Sequence, residues 1–455
     1  MLDRGHQTRP PVLLLAMAIL FLGAGCNRPI SQPIPVLTPA APTSAASMAF
    51  PLRKQAGQRC LTDRTGQPFL LQGDASWSLL VQLTRDDVEL YLADRQRRGF
   101  NSLLVNLIEH KFSANVPRNA YGEAPFLVPG NFTSPNEKYF AHVDWVLQRA
   151  AERGFVVLLA PSYQGYAGGG EGWYGEMRDS GAKRLQTYGR YLGMRYRNLT
   201  NIIWVHGGDF NPPERALTQA IVDGMRETNP QALHSFHGAR GTAARAFLGK
   251  DASWLDLNTI YTDENSVVAA AATEYRSSPL PFILIEGRYE GEGANEALVR
   301  TQAYQAMLSG ACGSLMGNKL IWPFSKEWRS ALDSPGARSM TRLRALMDQY
   351  HWSEMRPAPP LFLVEGAGSG SRTAVAAVSI NGRRALVYVP TVRSMVIDTT
   401  FVGASHTKAY WVDPASGLTS VVMGSPFNSA KRVSFATPPV NSSGYGDWLL
   451  LLESN

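Results

Sequence analysis

Two acidic residues in this chain stand directly at or after short apolar runs. Residues 201–209 read NIIWVHGGD and residues 281–287 read PFILIEG, so Asp209 and Glu286 occupy positions where buried parallel strands would end. Two carboxylic acids on strand ends of one barrel can cleave a glycosidic bond, because one protonates the leaving oxygen while the other stabilises or attacks the sugar carbon. The pattern therefore predicts Asp209 and Glu286 as a catalytic pair.

Each acid also has a purely structural interpretation. Asp209 could cap the helix that follows Pro212, since aspartate is a common N-cap residue. Glu286 has the strand parity that directs a side chain into the mouth of a barrel. Glu290 lies four residues further on, and an ion pair with Arg288 is the alternative for either glutamate.

Other polar and aromatic side chains follow predicted strand ends, where a substrate would bind. A carboxylate binds sugar hydroxyls and an indole stacks on a pyranose face, although ordinary core packing is the alternative for Trp77. His206 could instead be an interior histidine that orients Asp209. The predicted substrate contacts are Asp74, Trp77, His206, His237, Tyr261, Glu290 and Trp322.

The elements that must position these residues follow a βα repeat between residues 69 and 350. Eight strands close a (β/α)8 TIM barrel, whose reacting groups lie at the carboxyl ends of the strands. An open doubly wound sheet would need a glycine-rich phosphate loop after its first strand, and residues 73–77 (GDASW) do not form one. The predicted strands are Phe69–Gly73, Phe100–Ile108, Phe155–Pro161, Ile202–Gly207, Leu233–His237, Leu255–Tyr261, Phe282–Glu286 and Ser314–Trp322.

The composition changes after the predicted barrel. Residues 356–360 (RPAPP) interrupt the chain, and short alternating strands follow. Asn381-Gly382 between two such strands is typical of a two-residue hairpin turn. The sequence therefore predicts a catalytic barrel over residues 51–355 and a C-terminal all-β sandwich domain over residues 358–455.

The first fifty residues carry targeting features. Two arginines precede an apolar run, Val12–Leu22, that is too short to span a bilayer. Residues 1–26 are therefore predicted to be a signal peptide, and their ending, GAGC, is similar to a bacterial lipobox whose cysteine is lipidated. A proline-rich linker follows over residues 27–50. We expect an exported protein, either a cell-envelope lipoprotein held at the membrane through Cys26 or a secreted protein.

Composition and motifs exclude several other functions. The formal net charge is +7, but Lys and Arg are scattered, so we expect no nucleic-acid partner and at most a polyanionic one such as an acidic polysaccharide. The HExxH, CxxC and GxSxG signatures are absent, and no metal or organic cofactor is expected. Cys60 and Cys312 could pair in an oxidising compartment, and the sequence leaves that pairing open.

Five motifs occur in an order that resembles the apiosidase-like glycoside hydrolases over about residues 50–355. They are GDASW at 73–77, LADR and GFN within 92–101, YGRYLG at 188–193, NIIWVHGGD at 201–209, and EGRYEG at 286–291. The tail, with AYWVDP at 409–414 and DWLL at 447–450, is similar to the collagen-binding-type β-domain that follows that barrel.

The resemblance implies a glycosidase that acts on plant cell wall side chains such as those of pectin. The acids matching the family are Asp209, as general acid/base, and Glu286, as nucleophile of a retaining reaction. Residues 261–264 (YTDE) replace the QSGH typical of the family, which leaves the sugar open. The alternative function is a non-catalytic cell-surface lipoprotein that binds polysaccharide or protein.

Overall fold

The computed structural model describes residues 49–403, 405–428 and 431–454. The predicted signal peptide, Cys26 and nearly all of the predicted linker lie outside the described residues. Within the described part of the chain, no helix combines the length and the apolar character needed to cross a membrane.

Eight parallel strands form a closed barrel, which confirms the predicted fold class. The hydrogen-bonded order is β5-β4-β3-β2-β1-β8-β7-β6, and a parallel bridge between Ser235 and Leu257 joins the β5 edge to the segment leading into β6. Most strand residues are buried, because helices cover the barrel outside and side chains fill its interior. The strands are β1 Leu71–Ala75, β2 Ser102–Asn106, β3 Val156–Ala160, β4 Ile202–Gly207, β5 Leu233–His237, β6 Asn258–Tyr261, β7 Phe282–Glu286 and β8 Gly313–Met316.

Helices alternate with these strands, and several begin at side-chain caps. The side chains of Thr84, Asn136, Asn295 and Ser334 each accept a hydrogen bond from a backbone N–H in the first turn of the helix that follows. The helices are α1 Leu79–Gln82, α2 Arg85–Arg97, α3 Glu137–Glu152, α4 Tyr174–Tyr196, α5 Arg215–Thr228, α6 Ala244–Leu248, α7 Val267–Ser277, α8 Glu296–Leu308 and α9 Pro335–Gln349.

Residues 49–70 form a plug beneath the barrel, at the amino ends of its strands. Phe50 and Leu61 are buried in one apolar cluster with Leu71, the first residue of β1, and with Cys312, which immediately precedes β8. Cys60 belongs to the same cluster, and both cysteines are buried free thiols. The plug thus closes the end of the barrel opposite the carboxyl ends of the strands.

Ten short strands follow the barrel and form two antiparallel sheets. A larger sheet has the order β15-β14-β18-β12-β11-β9, with β16 paired to β14, and a smaller sheet has the order β10-β13-β17. Apolar side chains from both sheets, among them Val387, Ile397, Phe435 and Leu450, share one core. The strands are β9 Met355–Pro357, β10 Leu363–Glu365, β11 Val375–Ser379, β12 Arg384–Val389, β13 Ser394–Asp398, β14 His406–Val412, β15 Thr419–Val421, β16 Phe427–Asn428, β17 Arg432–Ala436 and β18 Trp448–Ser454.

A buried ion pair joins the β-domain to helix α8. Arg300 Nε lies 2.6 Å from Asp447 Oδ2, and Arg300 Nη2 lies 2.7 Å from Asp447 Oδ1. The hydroxyl of Tyr388 also donates to Asp447 Oδ2 at 2.7 Å. Because the arginine and aspartate side chains are 0% and 1% exposed, loss of either partner would leave an unpaired charge in the interior.

Candidate active site

A strained turn at the end of β4 places Asp209 at the carboxyl end of the barrel. Gly207, Gly208 and Asp209 all have positive φ, of 86°, 117° and 48°. A Cβ on Gly208 would overlap the ring of Tyr163, so only glycine fits there. The pair of glycines lets the backbone turn sharply, and Asp209 itself adopts a conformation that costs a non-glycine residue on the order of 1 kcal/mol.

Glu286 is the last residue of β7, and His237, the last of β5, connects it to Asp209. His237 Nε2 lies 2.8 Å from Glu286 Oε2, and His237 Nδ1 lies 3.6 Å from Asp209 Oδ1. One ligand atom from each of these three side chains lies within 4.8 Å of the other two. Strands β4, β5 and β7 therefore bring the two predicted acids together around a single imidazole.

The environment of Glu286 favours its neutral form. Burial and the charge of Asp209 raise the pKa of Glu286 to about 7, although hydrogen bonds from His237 and Tyr289 lower it. Burial alone would lower the pKa of His237, but its hydrogen bond to Glu286 and the charge of Asp209 raise it. The cluster of Asp209, His237 and Glu286 is therefore less negative near neutral pH than two ionised carboxylates would be.

Two further hydroxyls hold the carboxylates in place. Tyr163 OH donates to Asp209 Oδ2 at 3.0 Å, while Asp209 Oδ1 accepts no hydrogen bond from the described residues. Trp77 Nε1 donates to Tyr289 OH at 3.0 Å, and Tyr289 in turn is hydrogen-bonded to Glu286. Asp209 Oδ1 is buried and faces His237 Nδ1 at 3.6 Å.

The pair opens into a cavity of about 620 Å³ at the mouth of the barrel. Of the predicted substrate contacts, Trp77, Tyr261 and Trp322 line this cavity, and His237 lies immediately behind the two acids. Trp322 Nε1 donates to Glu292 Oε1 at 2.9 Å. The cavity is lined by Trp77, Lys111, Phe112, Tyr163, Tyr166, Glu171, Asp209, Arg240, Tyr261, Glu286, Gly287, Arg288, Tyr289, Glu292 and Trp322.

Two of the predicted sugar-binding acids serve the scaffold instead, so those predictions were wrong. Asp74 is 1% exposed and lies between Tyr91 OH, at 2.8 Å, and Arg95 Nε, at 2.7 Å, where it ties β1 to α2. Glu290 accepts hydrogen bonds at 2.6 Å from both Ser334 Oγ and the backbone N–H of Gly336. It therefore stabilises the N-terminus of α9, where a negative charge is favoured.

His206 is also away from the cavity, contrary to its prediction as a substrate contact. Its Nε2 lies 3.0 Å from Nδ1 of His234, the two rings stack, and Trp254 packs against both by its edge. Burial lowers the pKa of His206 well below its ordinary value. His206 is the interior histidine of the alternative interpretation, and the side chain beside Asp209 is His237.

Several cavity residues have no counterpart among the sequence predictions. Tyr163 follows β3 in the same way that Trp77 follows β1, so the strand-end rule could have identified it. Tyr289 lies within the EGRYEG motif, between Glu286 and Glu290, both of which were predicted as site residues. Arg240 lies three residues after β5, so the same rule could have identified it, whereas Lys111, Phe112 and Tyr166 lie on longer connecting segments for which the sequence pattern carries no positional signal.

Asp209, His237 and Glu286 could together hold a metal ion, judged by the spacing of their ligand atoms. However, the two nitrogens of His237 face different partners, because Nε2 contacts Glu286 and Nδ1 lies 3.1 Å from the Gly238 carbonyl. An ion at this position would have to displace the hydrogen bond between His237 and Glu286. The arrangement of Asp209, His237 and Glu286 therefore suits a hydrogen-bonded proton between His237 and Glu286 better than a bound metal ion.

Two family models match this chain, and the boundary between them lies close to the point where the barrel ends and the C-terminal β-strands begin. A family model described as "Apiosidase-like, catalytic domain" matches residues 55–354, and one described as "Putative collagen-binding domain of a collagenase" matches residues 360–453. A comparison with curated protein sequences finds no match.

Solved structures share this fold at low sequence identity. A glycoside hydrolase family 5 protein from Bacteroides vulgatus is 23% identical with a TM-score of 0.78, covering 89% of this chain and 94% of that one. A second glycoside hydrolase is also 23% identical with a TM-score of 0.78, covering 91% and 99%. A family 5 mannosidase from Rhizomucor miehei is 12% identical with a TM-score of 0.51, covering 67% and 100%. At these identities the structures show the fold alone.

Proposed function

The chain belongs to the apiosidase-like glycoside hydrolases, and from this premise we propose that it cleaves pectin-type side chains of the plant cell wall with retention at the anomeric carbon. The observation that carries the mechanism is the closeness of the two acids, whose ligand atoms lie within 4.8 Å. Retaining enzymes hold their carboxyl groups about 5 to 5.5 Å apart, and inverting enzymes about 6.5 to 9.5 Å apart. The separation of Asp209 and Glu286 leaves little room for the water molecule that an inverting enzyme holds between its general base and the anomeric carbon.

In the first half of the proposed reaction, Glu286 attacks the anomeric carbon while Asp209 protonates the leaving oxygen. The glycosidic bond breaks, and a glycosyl ester forms on Glu286. In the second half, Asp209 removes a proton from water, the water oxygen attacks the same carbon, and Glu286 leaves as a carboxylate. Two inversions at one carbon give overall retention.

Hydrogen bonding supports this division of roles. Glu286 is the more enclosed acid, with its side chain 11% exposed against 20% for Asp209. Donors from His237 and Tyr289 suit a carboxylate that must carry negative charge during attack. The side chain of Asp209 has the better access to solvent, as an acid that later activates water requires.

Two basic residues at the cavity support an acidic polysaccharide as substrate. Among the described residues, neither Lys111 nor Arg240 forms an ion pair with a carboxylate, whereas Arg288 is paired with Glu264 at 2.7 Å. Arg240 is oriented by a 2.7 Å hydrogen bond to Tyr261 OH. Pectin carries carboxylates that these side chains can bind, and positive charge near a cleft raises the local concentration of anionic substrates.

The test is a comparison of matched carboxyl variants on pectic oligosaccharides. We expect the purified protein to release monosaccharide, with the first-formed anomer seen by NMR having the configuration of the substrate. Glu286→Gln should abolish hydrolysis while binding remains, and Glu327→Gln, which changes an exposed glutamate outside the cavity lining, should retain turnover. Binding without turnover in the unmodified protein would favour the non-catalytic lipoprotein instead, and release of the inverted anomer would refute retention.

We further propose that the protein is exported and anchored at a membrane by lipid on Cys26. The support is the lipobox-like sequence GAGC and the proline-rich linker after it. Metabolic labelling with a radioactive fatty acid should mark the protein, and Cys26→Ala should remove the label. An unlabelled protein found in the medium would indicate plain secretion.

A further inference from the structure

A short loop after β3 presents an exposed aromatic side chain at the cavity. Residues 165–172 read GYAGGGEG, and five of these eight residues are glycine. The side chain of Tyr166 is 71% exposed although it lines the cavity beside Asp209. A large aromatic ring this exposed at the mouth of a site has most of its surface available to a ligand.

The glycines of this loop allow close packing of its backbone. A Cβ on Gly172 would overlap the backbone of Gln164 and Gly165, so the two ends of the loop touch. The Trp173 N–H donates to the Tyr163 carbonyl at 2.8 Å and closes the neck. These contacts define a compact Ω-shaped loop rather than a loose linker.

Internal hydrogen bonds fix the position of Tyr166 within the loop. Its N–H donates to Glu171 Oε1 at 2.7 Å, and its carbonyl accepts from the Gly169 N–H at 2.9 Å. The Gly168 N–H donates to the Gly165 carbonyl at 3.0 Å. The backbone of Tyr166 is therefore held from both sides, so ligand binding has to order only its side chain and not the loop that carries it.

The loop rests on the side of the cavity that belongs to Asp209. A Cβ on Gly168 would lie 3.0 Å from the ring of Phe210, the residue that follows Asp209. Tyr163, at the base of the loop, donates its hydroxyl to Asp209. Because Asp209 is the proposed donor of a proton to the leaving oxygen, the sugar that departs must lie on this side.

We propose that loop 165–172 forms the binding subsite for the leaving group, and that Tyr166 recognises the apolar C–H face of a leaving sugar by stacking on it. This inference rests on the proposed function, since it uses Asp209 as the acid. A flat aromatic ring selects a sugar ring over a small leaving group, because only the sugar buries the exposed face of Tyr166. The enzyme therefore prefers an internal glycosidic linkage between two sugars to a simple glycoside.

Two substrates that share a glycosyl group but differ in leaving group test the subsite. With a pectic oligosaccharide, Tyr166→Ala should lower kcat/KM about tenfold, while Tyr166→Phe keeps the ring and should stay within about twofold of the unmodified enzyme. With the glycosyl fluoride of the sugar that the oligosaccharide releases, whose leaving group has no ring, all three proteins should be equal within about twofold. An equal loss on both substrates, or no loss on either, would overturn the proposal.

A binding measurement separates this inference from the proposed reaction. In the Glu286→Gln background, calorimetry with the pectic oligosaccharide should show a Kd about tenfold weaker when Tyr166→Ala is added. This result would stand even if the unmodified enzyme hydrolysed neither substrate, in which case the proposed function fails and the binding subsite remains. Equal Kd values in the two proteins would refute the subsite whatever the turnover.

Discussion

The ionisation of Glu286 should control the acid side of the pH profile. The ordinary pKa of the group is 4.5, and its surroundings raise it to about 7. As a nucleophile, Glu286 must be ionised, so kcat/KM should fall about tenfold for each pH unit below 7 and be about a hundredfold below its maximum at pH 5. A carboxyl with its ordinary pKa would still be about three-quarters ionised there.

Two substitutions should move this acid limb in opposite directions. Asp209→Asn removes the charge that raises the pKa of Glu286, so the limb should shift to lower pH. His237→Asn removes the hydrogen bond and the positive charge that lower this pKa, so the limb should shift to higher pH. Opposite shifts from two neighbours of one carboxyl would be difficult to obtain through a general loss of structure.

The assay is kcat/KM for the glycosyl fluoride of the sugar that the enzyme releases, measured between pH 4 and 9 by fluoride release. Fluoride departs without a proton, so Asp209→Asn remains measurable in the step that kcat/KM reports. A profile without an acid limb near pH 7 would show that Glu286 need not be ionised for attack, and the roles of the two carboxyl groups would have to be exchanged. Shifts of the same sign in both variants would refute the electrostatic reasoning.

Other expectations concern the support of the site and of the fold. Tyr163→Phe removes a hydrogen bond worth about 1 kcal/mol, so kcat on a pectic oligosaccharide should fall about five- to tenfold in steady-state assays. Arg300→Met leaves Asp447 buried without its partner and should lower the free energy of unfolding by about 3 to 5 kcal/mol, measured with denaturant; a loss below about 1 kcal/mol would contradict this. Cys60 and Cys312 should resist a thiol reagent in the folded protein and react after unfolding. A mass 2 Da lower than that of the dithiol would instead show that they had paired.

The sequence was sufficient to predict the barrel and its acid pair. Barrel strands such as β3, with the sequence VVLLA, and β7, with the sequence FILIE, are apolar runs that are buried on both sides, and that local signal survives in the structure. Asp209 and Glu286 follow from the same signal, because parallel strands deliver their carboxyl ends to one rim. The turn at Gly207 and Gly208 was visible as a pair of glycines before the acid.

The sequence could not show which polar residues near the rim already had partners. Asp74 is neutralised by Arg95 from the next helix, and Glu290 by the N-terminus of a helix that begins more than forty residues later. His206 and His237 lie near the ends of neighbouring strands, yet only His237 contacts the two acids. Burial beside a partner that is distant in the sequence depends on the folded chain, so the spacing of residues within one strand does not predict it.

The plug at residues 49–70 makes the two ends of the barrel different, because it closes one of them. The described chain enters beneath the barrel, at the face where Phe50 and Leu61 close it, while Asp209 and Glu286 open at the far end. A ligand that reaches the two acids therefore approaches from the rim at the carboxyl ends of the strands. Substitutions within the plug should change the stability of the barrel while leaving the shape of that rim unaltered.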